Sequence, residues 1–237
     1  MYPQVEGMRA AEARMLATRY TDLRGPAVGP PPYTVAFSRE AGSGGILVAR
    51  EVGRRLNWPV YDHELLDHLA RELRVDVDQL ENVDERQPGW LVECVKAFAA
   101  ASSVSEVAYF LRLLKLLLSL GERGQCVIVG RGAMIVLPVE TTVRVRVVAS
   151  REDRIANISR ERGLDPTEAA SYMESTDRER SRFIRQHFHK DLADPLLYDL
   201  VLNASRLPVD ESAAIVVEAV HHLQARGAPV KQAQASI

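Results

Sequence analysis

The sequence predicts an α/β domain in which a five-stranded parallel sheet is covered by helices on both faces. Between residues 34 and 226, short apolar segments of strand length alternate with longer segments of helical periodicity. The segment CVIVG at 126–130 is continuously apolar, as is typical of a strand in the interior of a parallel sheet. A glycine-rich turn joins the first strand to the first helix. Together these observations indicate an α/β sheet with helices on both sides.

Each of the five strand predictions depends on a short run rich in apolar and β-branched residues. The runs are YTVAFS at 33–38, WPVY at 58–61, CVIVG at 126–130, TVRVRVVAS at 142–150 and YDLVLNAS at 198–205.

Helices are predicted where apolar residues recur at helical spacing between residues that begin or end a helix. Leucines share one face of the segment 62–75, and the last helix begins at Pro208 and ends at Gly227. The predicted helices are 46–57, 62–75, one or two within 88–121, 151–163, most of 165–188, and 208–227.

The chain is expected to have three parts. Residues 1–33 have helical composition followed by the segment GPAVGPPPY, and they predict a helical extension with a stiff, proline-rich linker. Residues 34–226 form the α/β domain, and residues 227–237 are predicted to be a disordered tail.

Composition excludes some classes of function. The net charge of −2 lacks the basic excess that is typical of nucleic-acid-binding surfaces, so no nucleic-acid partner is expected. Only four of the 30 basic residues are lysine. Any anion site would therefore consist mainly of arginine guanidinium groups, which are planar and permanently charged.

Cysteine use and hydropathy favour a cytoplasmic protein without a membrane segment. Cys94 and Cys126 are isolated, which fits a reducing compartment, and no signal peptide is recognisable. The most apolar segment, LRLLKLLLSL at 111–120, is too short to cross a bilayer and predicts a buried helix. This helix or the N-terminal extension is a possible interface for a homodimer.

The turn SREAGSGG at 38–45 is the first candidate site. A strand, a glycine-rich turn and a helix in this order form the usual binding site for nucleotide phosphates, in which backbone N–H groups point at the anion. The pattern G-x-x-x-x-G-K-[ST] requires a lysine after its last glycine, but Gly45 occupies that position. Arg39 is a candidate for the missing positive charge. A tight turn without a ligand is the alternative.

Arg131 is the second candidate. It lies between two glycines directly after the apolar strand at 126–130. Ligands of open α/β sheets bind at the edge where the parallel strands end, the carboxyl edge. The flanking glycines suggest that some group approaches the backbone closely, whereas a surface salt bridge is the alternative.

A row of arginines in STDRERSRFIR is the third candidate. Arg178, Arg182 and Arg185 recur at spacings of four and three, so they share one helix face, with Arg180 beside them. The row is either a solvated face or an arginine lid that clamps a transferring phosphoryl group.

Five motifs, in the order in which they occur, resemble those of the cytidylate kinase-like family, a branch of the P-loop nucleoside monophosphate kinases. The motifs are SREAGSGG, PVYDHELL, VIVGRGAMIVL, STDRERSR and YDLVLNAS, and the resemblance covers about residues 34 to 220. It implies a P-loop kinase fold with a five-stranded parallel sheet, a helical region that binds the acceptor, and a mobile lid.

The resemblance implies roles for individual residues. Asp62 matches an aspartate in the acceptor nucleoside site, and Arg131 matches an arginine that contacts the acceptor monophosphate. Arg178 and Arg182 match lid arginines and are, with Arg39, the candidate catalytic residues. The candidates for binding the phosphates of ATP are Ser38, Arg39, Gly42, Ser43, Gly44 and Gly45; those that match the lid less closely are Arg180 and Arg185.

The chain also departs from cytidylate kinases at positions that matter for chemistry. Gly45 replaces the loop lysine, Ile46 and Leu47 replace a hydroxyl residue, and Val129 replaces an aspartate. The metal ligands therefore stay unidentified, and Glu40 is a candidate. His63 and His68 are five residues apart and do not share a helix face, so they are not selected as a site.

The expected function is that of a nucleoside monophosphate kinase-like phosphotransferase with ATP and Mg²⁺ as cofactors. It would transfer the γ-phosphoryl group of ATP to CMP or a similar small acceptor. Two alternatives remain: a catalytically silent module that senses a nucleotide, and a kinase that phosphorylates a non-nucleotide alcohol.

Overall fold

The computed structural model describes residues 33–72 and 104–227. The N-terminal extension up to residue 32, the tail from residue 228, and residues 73–103 lie outside the described residues. The predictions for 1–32, for the end of the helix at 62–75 and for the first part of 88–121 fall on these segments.

The described chain alternates strands with helices, as the sequence predicts. The strands are β1 (Thr34–Arg39), β2 (Val60–Tyr61), β3 (Cys126–Val129), β4 (Thr142–Val148) and β5 (Leu200–Asn203). The helices are α1 (Gly45–Leu56), α2 (His63–Glu72), α3 (Val104–Arg123), α4 (Ala133–Val136), α5 (Arg151–Arg162), α6 (Pro166–Phe188) and α7 (Val209–Gly227), and a 3₁₀ turn covers Pro195–Leu197.

All strand pairs are parallel, and the spatial order is β2-β3-β1-β4-β5. The first residue of β1, Thr34, pairs with Cys126 of β3 on one side and with Thr142 of β4 on the other. β2 and β3 lie on one side of β1, and β4 and β5 lie on the other side. The loops that follow β1 and its neighbours therefore diverge to opposite sides, and a crevice opens between them at the carboxyl edge. The five-stranded parallel α/β fold predicted from the sequence is confirmed.

The two faces of the sheet bury separate apolar cores. On one face, Val35 and Phe37 of β1 pack with α1 and α7. On the other face, Ala36 and Ile128 pack with α2, α3, α4 and the end of α6, where Phe188 is buried. A smaller cluster joins the loop after β1 to α5 and α6. The crevice is thus bordered by helices that are fixed to both faces of the sheet.

The apolar segment at 111–120 lies within α3 and faces the core. Its buried leucines are Leu113, Leu114, Leu116, Leu117 and Leu120. The prediction of a buried helix is confirmed. The apolar character of this segment is explained by packing within the chain, so it gives no support to a dimer interface. None of the helices in the described residues is long and apolar enough to span a membrane.

Local signals explain where the two long helices of the crevice begin. Asp165 accepts hydrogen bonds from the amides of Thr167 and Glu168, and Pro166 occupies the first turn of α6. Ser150 caps α5 by accepting from the amide of Asp153. The four-residue helix α4 is absent from the sequence-based prediction because it is too short to show a helical period.

Candidate functional site

A cavity of about 550 Å³ lies at the carboxyl edge of the sheet. It is bordered by the loop after β1, the start of α2, the turn after β3, and helices α5 and α6. The predicted site residues that line it are Ser38, Arg39, Gly42, Gly44, Gly45, Asp62, Arg131 and Arg180. The predicted residues outside its lining are Ser43, Arg178, Arg182 and Arg185.

The start of α1 is open toward this cavity. Gly44 is the N-cap residue, with a φ of 74°, and no side chain of the described residues caps the helix or places an acidic group in its first turn. The amides of Leu47 and Val48 bond back to the carbonyl of Gly44. A Cβ on Gly44 would meet nothing within 4 Å. The helix therefore presents N–H groups and its positive dipole end to the cavity, which suits an anion.

At Gly42, unlike Gly44, the space that a side chain would need is filled by the protein. A Cβ there would collide with the backbone oxygen of Arg154 on α5, and the side chain of Ile158 lies only 2.9 Å away. Asn157 donates from its amide nitrogen to the carbonyl of Gly42 at 2.9 Å. The loop is packed directly on α5 at this point.

Charged side chains of α5 and α6 also form hydrogen bonds to the backbone of the loop. Arg154 Nε donates to the carbonyl of Ala41 at 2.7 Å, and the amide of Ala41 donates to Asp177 Oδ1 at 2.9 Å. Arg154 and Asp177 pair with each other. The loop conformation consequently depends on α5 and α6, which border the crevice.

The carboxylate of Glu40 belongs to the same network. It accepts from the amide of Ala149 at 3.3 Å and lies 3.4 Å from Arg154 Nη1 and 3.5 Å from Arg146 Nη2. Two guanidinium groups already balance its charge, so the structure does not support Glu40 as a metal ligand.

Arg39 is the last residue of β1, and its side chain reaches the start of α2. Its Nη2 lies 3.1 Å from Nδ1 of His63. A guanidinium can only donate, so Nδ1 is the acceptor and His63 carries its proton on Nε2. The pKa of Arg39 is lowered to about 9, first by burial and then by the positive charges of Arg180 and Arg131. A buried cation with two like charges nearby is arranged to receive negative charge.

The guanidinium of Arg131 is paired with a carboxylate of the same chain. Its Nε donates to Asp67 Oδ1 at 2.7 Å, its Nη2 pairs with the second carboxylate oxygen, and Tyr109 donates its hydroxyl to the same residue. Its guanidinium lies 5.2 Å from the centroid of the Phe183 ring. Arg131 has a φ of 52°, a left-handed conformation that is uncommon for a residue with a side chain.

Groups of the same chain approach the glycines beside Arg131 closely. A Cβ on Gly130 would lie 2.6 Å from Nη1 of Arg39, and a Cβ on Gly132 would collide with the ring of Phe188. Both glycines have positive φ values, 88° and 78°.

At the start of α2, Asp62 and His63 both line the cavity. Asp62 accepts from the amide of Leu65 at 3.1 Å and lies 3.9 Å from Arg50. The pKa of His63 is lowered, first by burial and then by the charge of Arg39, which favours the neutral ring. Sequence reasoning missed His63 because it compared this residue only with His68. Its position next to Asp62, directly after β2, was the available signal.

The arginines of α6 divide between two faces. The sequence ranked Arg178 and Arg182 above Arg180 as site residues, but Arg180 is the one that lines the cavity. Arg178, Arg182 and Arg185 do share a face, but that face is exposed to solvent, and Arg178 pairs there with Glu174 at 3.8 Å. Arg180 lines the cavity and donates to the carbonyl of Arg39 at 3.2 Å.

The physical reason is that the inward face of α6 is set by its apolar residues. Met173, Ile184 and Phe188 are buried, and positions 177 and 180 continue the same helical series of three and four residues. This series is visible in the sequence and would have selected Arg180. Burial lowers the pKa of Arg180.

Two further residues that line the cavity are Arg162 and Tyr172. The guanidinium carbon of Arg162 is 4.1 Å from the ring centroid of Tyr172. This arrangement offers a planar, cationic surface between α5 and α6.

The predicted hydroxyls are hydrogen-bonded within the protein. Ser43 is buried and donates to the carbonyl of Glu40 at 2.9 Å, while Ser38 Oγ contacts Arg146 Nη1 and the hydroxyl of Tyr198 at 3.3 Å each. Among the described residues, no three His, Cys, Asp or Glu side chains are grouped as a metal site. Protein ligands for Mg²⁺ are therefore not identified.

The chain matches a family model and is similar to a curated protein. A model described as the cytidylate kinase-like family matches residues 34–206. Cytidylate kinase from Methanopyrus kandleri is 24% identical over 189 residues, which cover 79% of this chain and 93% of the relative.

Solved structures are also similar. An uncharacterized protein from Eubacterium ventriosum has a TM-score of 0.62 and 20% identity, covering 80% of this chain and 98% of that chain. Shikimate kinase from Bacteroides thetaiotaomicron has a TM-score of 0.45 and 14% identity over 80% of this chain and 98% of its own.

Proposed function

The chain belongs to the cytidylate kinase-like family, and from this premise we propose that it is an ATP-dependent phosphotransferase that acts on CMP or a similar small acceptor. The family is the one that the five sequence motifs predicted. A cytoplasmic location is part of the proposal, since Cys126 is a buried free thiol and fits a reducing compartment.

One observation carries the proposal. Arg39, Arg131 and Arg180 line the same cavity. The pKa of Arg39 is lowered to about 9, first by burial and then by the positive charges of Arg180 and Arg131. Like charges are brought together in a folded protein at a cost. A polyanionic ligand offsets that cost by forming charge-assisted hydrogen bonds with the guanidinium groups. Two nucleotides with adjacent phosphates are a ligand set of this kind.

The roles follow from the positions of the residues. The first amides of α1 and the guanidinium of Arg39 would bind the donor phosphates, and Arg180 would close over them from α6. Asp62 and Arg131 would border the acceptor. Phosphoryl transfer needs alignment of donor and acceptor and neutralisation of charge, with little covalent chemistry from the protein.

Mg²⁺ is included in the proposal because, when bound with ATP, it would neutralise charge on the phosphates. Mg²⁺ commonly keeps several waters and is held by substrate phosphates with one or two carboxylates. In the loop, Ser43 is buried and outside the cavity lining, and Ile46 and Leu47, which carry no hydroxyl, follow Gly45.

A nucleotide sensor without catalysis is the second candidate, and two observations favour it. Val129 is buried and apolar where cytidylate kinases have an acidic residue, and the guanidinium of Arg131 is already paired with Asp67. Both features reduce the groups available for catalysis and leave the donor side of the cavity intact.

The test begins with binding and continues with turnover. Nucleoside mono-, di- and triphosphates are screened by thermal shift, because a ligand of the native state raises the melting temperature. Transfer from labelled ATP to each acceptor that binds is then measured. If no nucleotide near millimolar concentration shifts the melting temperature, both candidate functions are wrong.

Arg180→Ala and Arg178→Ala form a matched pair for the catalytic step. We expect Arg180→Ala to lower kcat about a hundredfold, as for the loss of one donor to transition-state charge. Arg178→Ala, on the exposed face of α6, should stay within about twofold of the wild type because surface ion pairs contribute little. ATP binding without transfer to any acceptor would favour the sensor.

A further inference from the structure

The loop after β1 exchanges two positions of the ordinary phosphate-loop pattern. In G-x-x-x-x-G-K-[ST] the first position is glycine and the last glycine is followed by lysine. With Gly44 as the last glycine, the first position is Arg39 and the lysine position is Gly45. The cation and the glycine have changed places.

Packing explains why the two positions change together. A Cβ on Gly45 would lie 2.6 Å from the Cβ of Arg39 and 3.1 Å from that of Val147. Two Cβ atoms are not flexible ends of side chains, so the backbone would have to move. In this loop, residues 39 and 45 cannot both carry a side chain without strain.

We infer that His63 positions the guanidinium of Arg39, and that the two residues together form the phosphate-binding cation of the exchanged loop. The binding role rests on the proposed function. The positioning role rests on contacts within the protein alone.

Arg39 needs a partner to hold it in the cavity. Its side chain is long, it is largely buried, and Arg131 and Arg180 repel it. Asp62 and Asp177 attract it from a distance. Among the described residues, the hydrogen bond found for its guanidinium is the one to Nδ1 of His63. Without this acceptor, no hydrogen bond found among the described residues would fix the position of the guanidinium.

His63 is suited to the task because it is fixed and uncharged. It is the first residue of α2, directly after Asp62, which caps the helix by accepting from the amide of Leu65. The charged groups that act on it are Arg39 from β1, Arg131 from the turn after β3, Arg180 from α6 and Glu64 from its own helix. Three of these four groups are cations, so the neutral ring with a free acceptor nitrogen is favoured.

The turn after β3 leaves the space that this arrangement needs. A Cβ on Gly130 would lie 2.6 Å from Nη1 of Arg39 and 4.0 Å from the Cβ of His63. The guanidinium therefore lies over the backbone of Gly130, between the start of α1 on the donor side and Arg131 on the acceptor side. A cation at this place can contact phosphates of both substrates.

A double-mutant cycle tests the inference. The variants are Arg39→Ala, His63→Leu and the double variant, with His63→Asn as the conservative change, because its amide oxygen can replace Nδ1 as an acceptor. His68→Leu is the control, since His68 is an exposed residue of the same helix outside the cavity lining. Affinity for ATP is measured by titration calorimetry, and stability without nucleotide by urea unfolding.

We expect His63→Leu to weaken ATP binding about tenfold in the wild-type background, in line with a hydrogen bond to a charged group. The same change should have less than about a twofold effect in the Arg39→Ala background, because coupled residues are not additive. His63→Asn should retain most of the affinity, and His68→Leu should have no effect.

Equal losses from His63→Leu in both backgrounds would overturn the inference, and so would a His63→Asn variant as weak as His63→Leu. If His63→Leu does not fold, His63→Ala takes its place in the cycle. If the wild type binds no nucleotide, the proposed function fails, and the unfolding cycle decides the inference alone. A coupling energy in the unfolding cycle supports the positioning role, and its absence overturns that role.

Discussion

The turns that follow the neighbouring strands β1 and β3 both contain glycines with positive φ values, but they differ at one position. Gly42, Gly130 and Gly132 each have their Cβ position filled by the protein, whereas that of Gly44 is open. The Cβ position of Gly44 faces open space in the cavity. The Cβ positions of Gly130 and Gly132 are filled by Arg39 and by the ring of Phe188. A glycine-rich turn at the carboxyl edge can therefore leave room for a ligand or for the protein, and only the occupancy of the Cβ position distinguishes the two.

The largest effect is expected where the space is filled by a core residue. Gly132→Ala should lower the free energy of unfolding by about 3 kcal/mol, because it combines left-handed strain with a collision against the buried ring of Phe188. Urea unfolding measures this change. Gly163→Ala is the matched control, since Gly163 has a φ of 68° with nothing within 4 Å of its Cβ position.

The comparison between these two variants isolates the packing contribution. Gly163→Ala should cost only about 1 kcal/mol from backbone strain. Equal losses in the two variants would mean that Phe188 moves aside freely, and the distinction between the two turns would lose its basis.

The next effect concerns the exchanged positions of the loop. Gly45→Lys should destabilise the protein by about 2 kcal/mol and give no gain in activity, because the new Cβ meets the Cβ of Arg39. Adding Arg39→Gly should recover part of the lost stability, although Val147 still crowds the position. A single Gly45→Lys variant with higher turnover and unchanged stability would contradict this account.

An effect of similar size is expected for ligand binding. Arg39→Ala should weaken ATP binding by about 2 kcal/mol, as for the loss of a hydrogen bond to a charged group. Titration calorimetry measures the change, with Arg178→Ala on the exposed face of α6 as the control. An unchanged affinity would show that the phosphates do not contact the guanidinium of Arg39.

The smallest effect on folding is expected at the open position. Gly44→Ala should lower the free energy of unfolding by only about 1 kcal/mol, since its Cβ has no neighbour within 4 Å and backbone strain is the sole cost. ATP affinity should nevertheless fall, because the Cβ enters the cavity. If affinity is retained, the open space before α1 is not where phosphates bind.

Most of the fold could be predicted from the sequence because its signals are local. Alternating apolar runs, the continuous run CVIVG and the helix-starting residues each act within a few positions. The short helix α4 could not be found because four residues hold no periodicity. The apolar segment at 111–120 was predicted as a buried helix, and α3 confirms it.

The site was less predictable because it depends on directions of side chains across distant elements. The cluster of site residues at the carboxyl edge follows from the order of the strands, but the contact between Arg39 and His63 joins β1 to α2. The pairing of Arg131 with Asp67 likewise joins residues that are far apart in the chain. Arg180 is the exception, since the spacing of Met173, Ile184 and Phe188 marks its face in the sequence alone.

The contact between positions 39 and 45 also restricts how such a loop can evolve. Starting from glycine at 39 and lysine at 45, one mutation can place a side chain at both positions or at neither. The first intermediate has two Cβ atoms 2.6 Å apart, and the second has no cation in the loop. We expect either intermediate to lose stability or phosphate affinity, so reversal should be as difficult as the original change. A lineage that has made the exchange should therefore keep arginine at 39 and glycine at 45 as a pair.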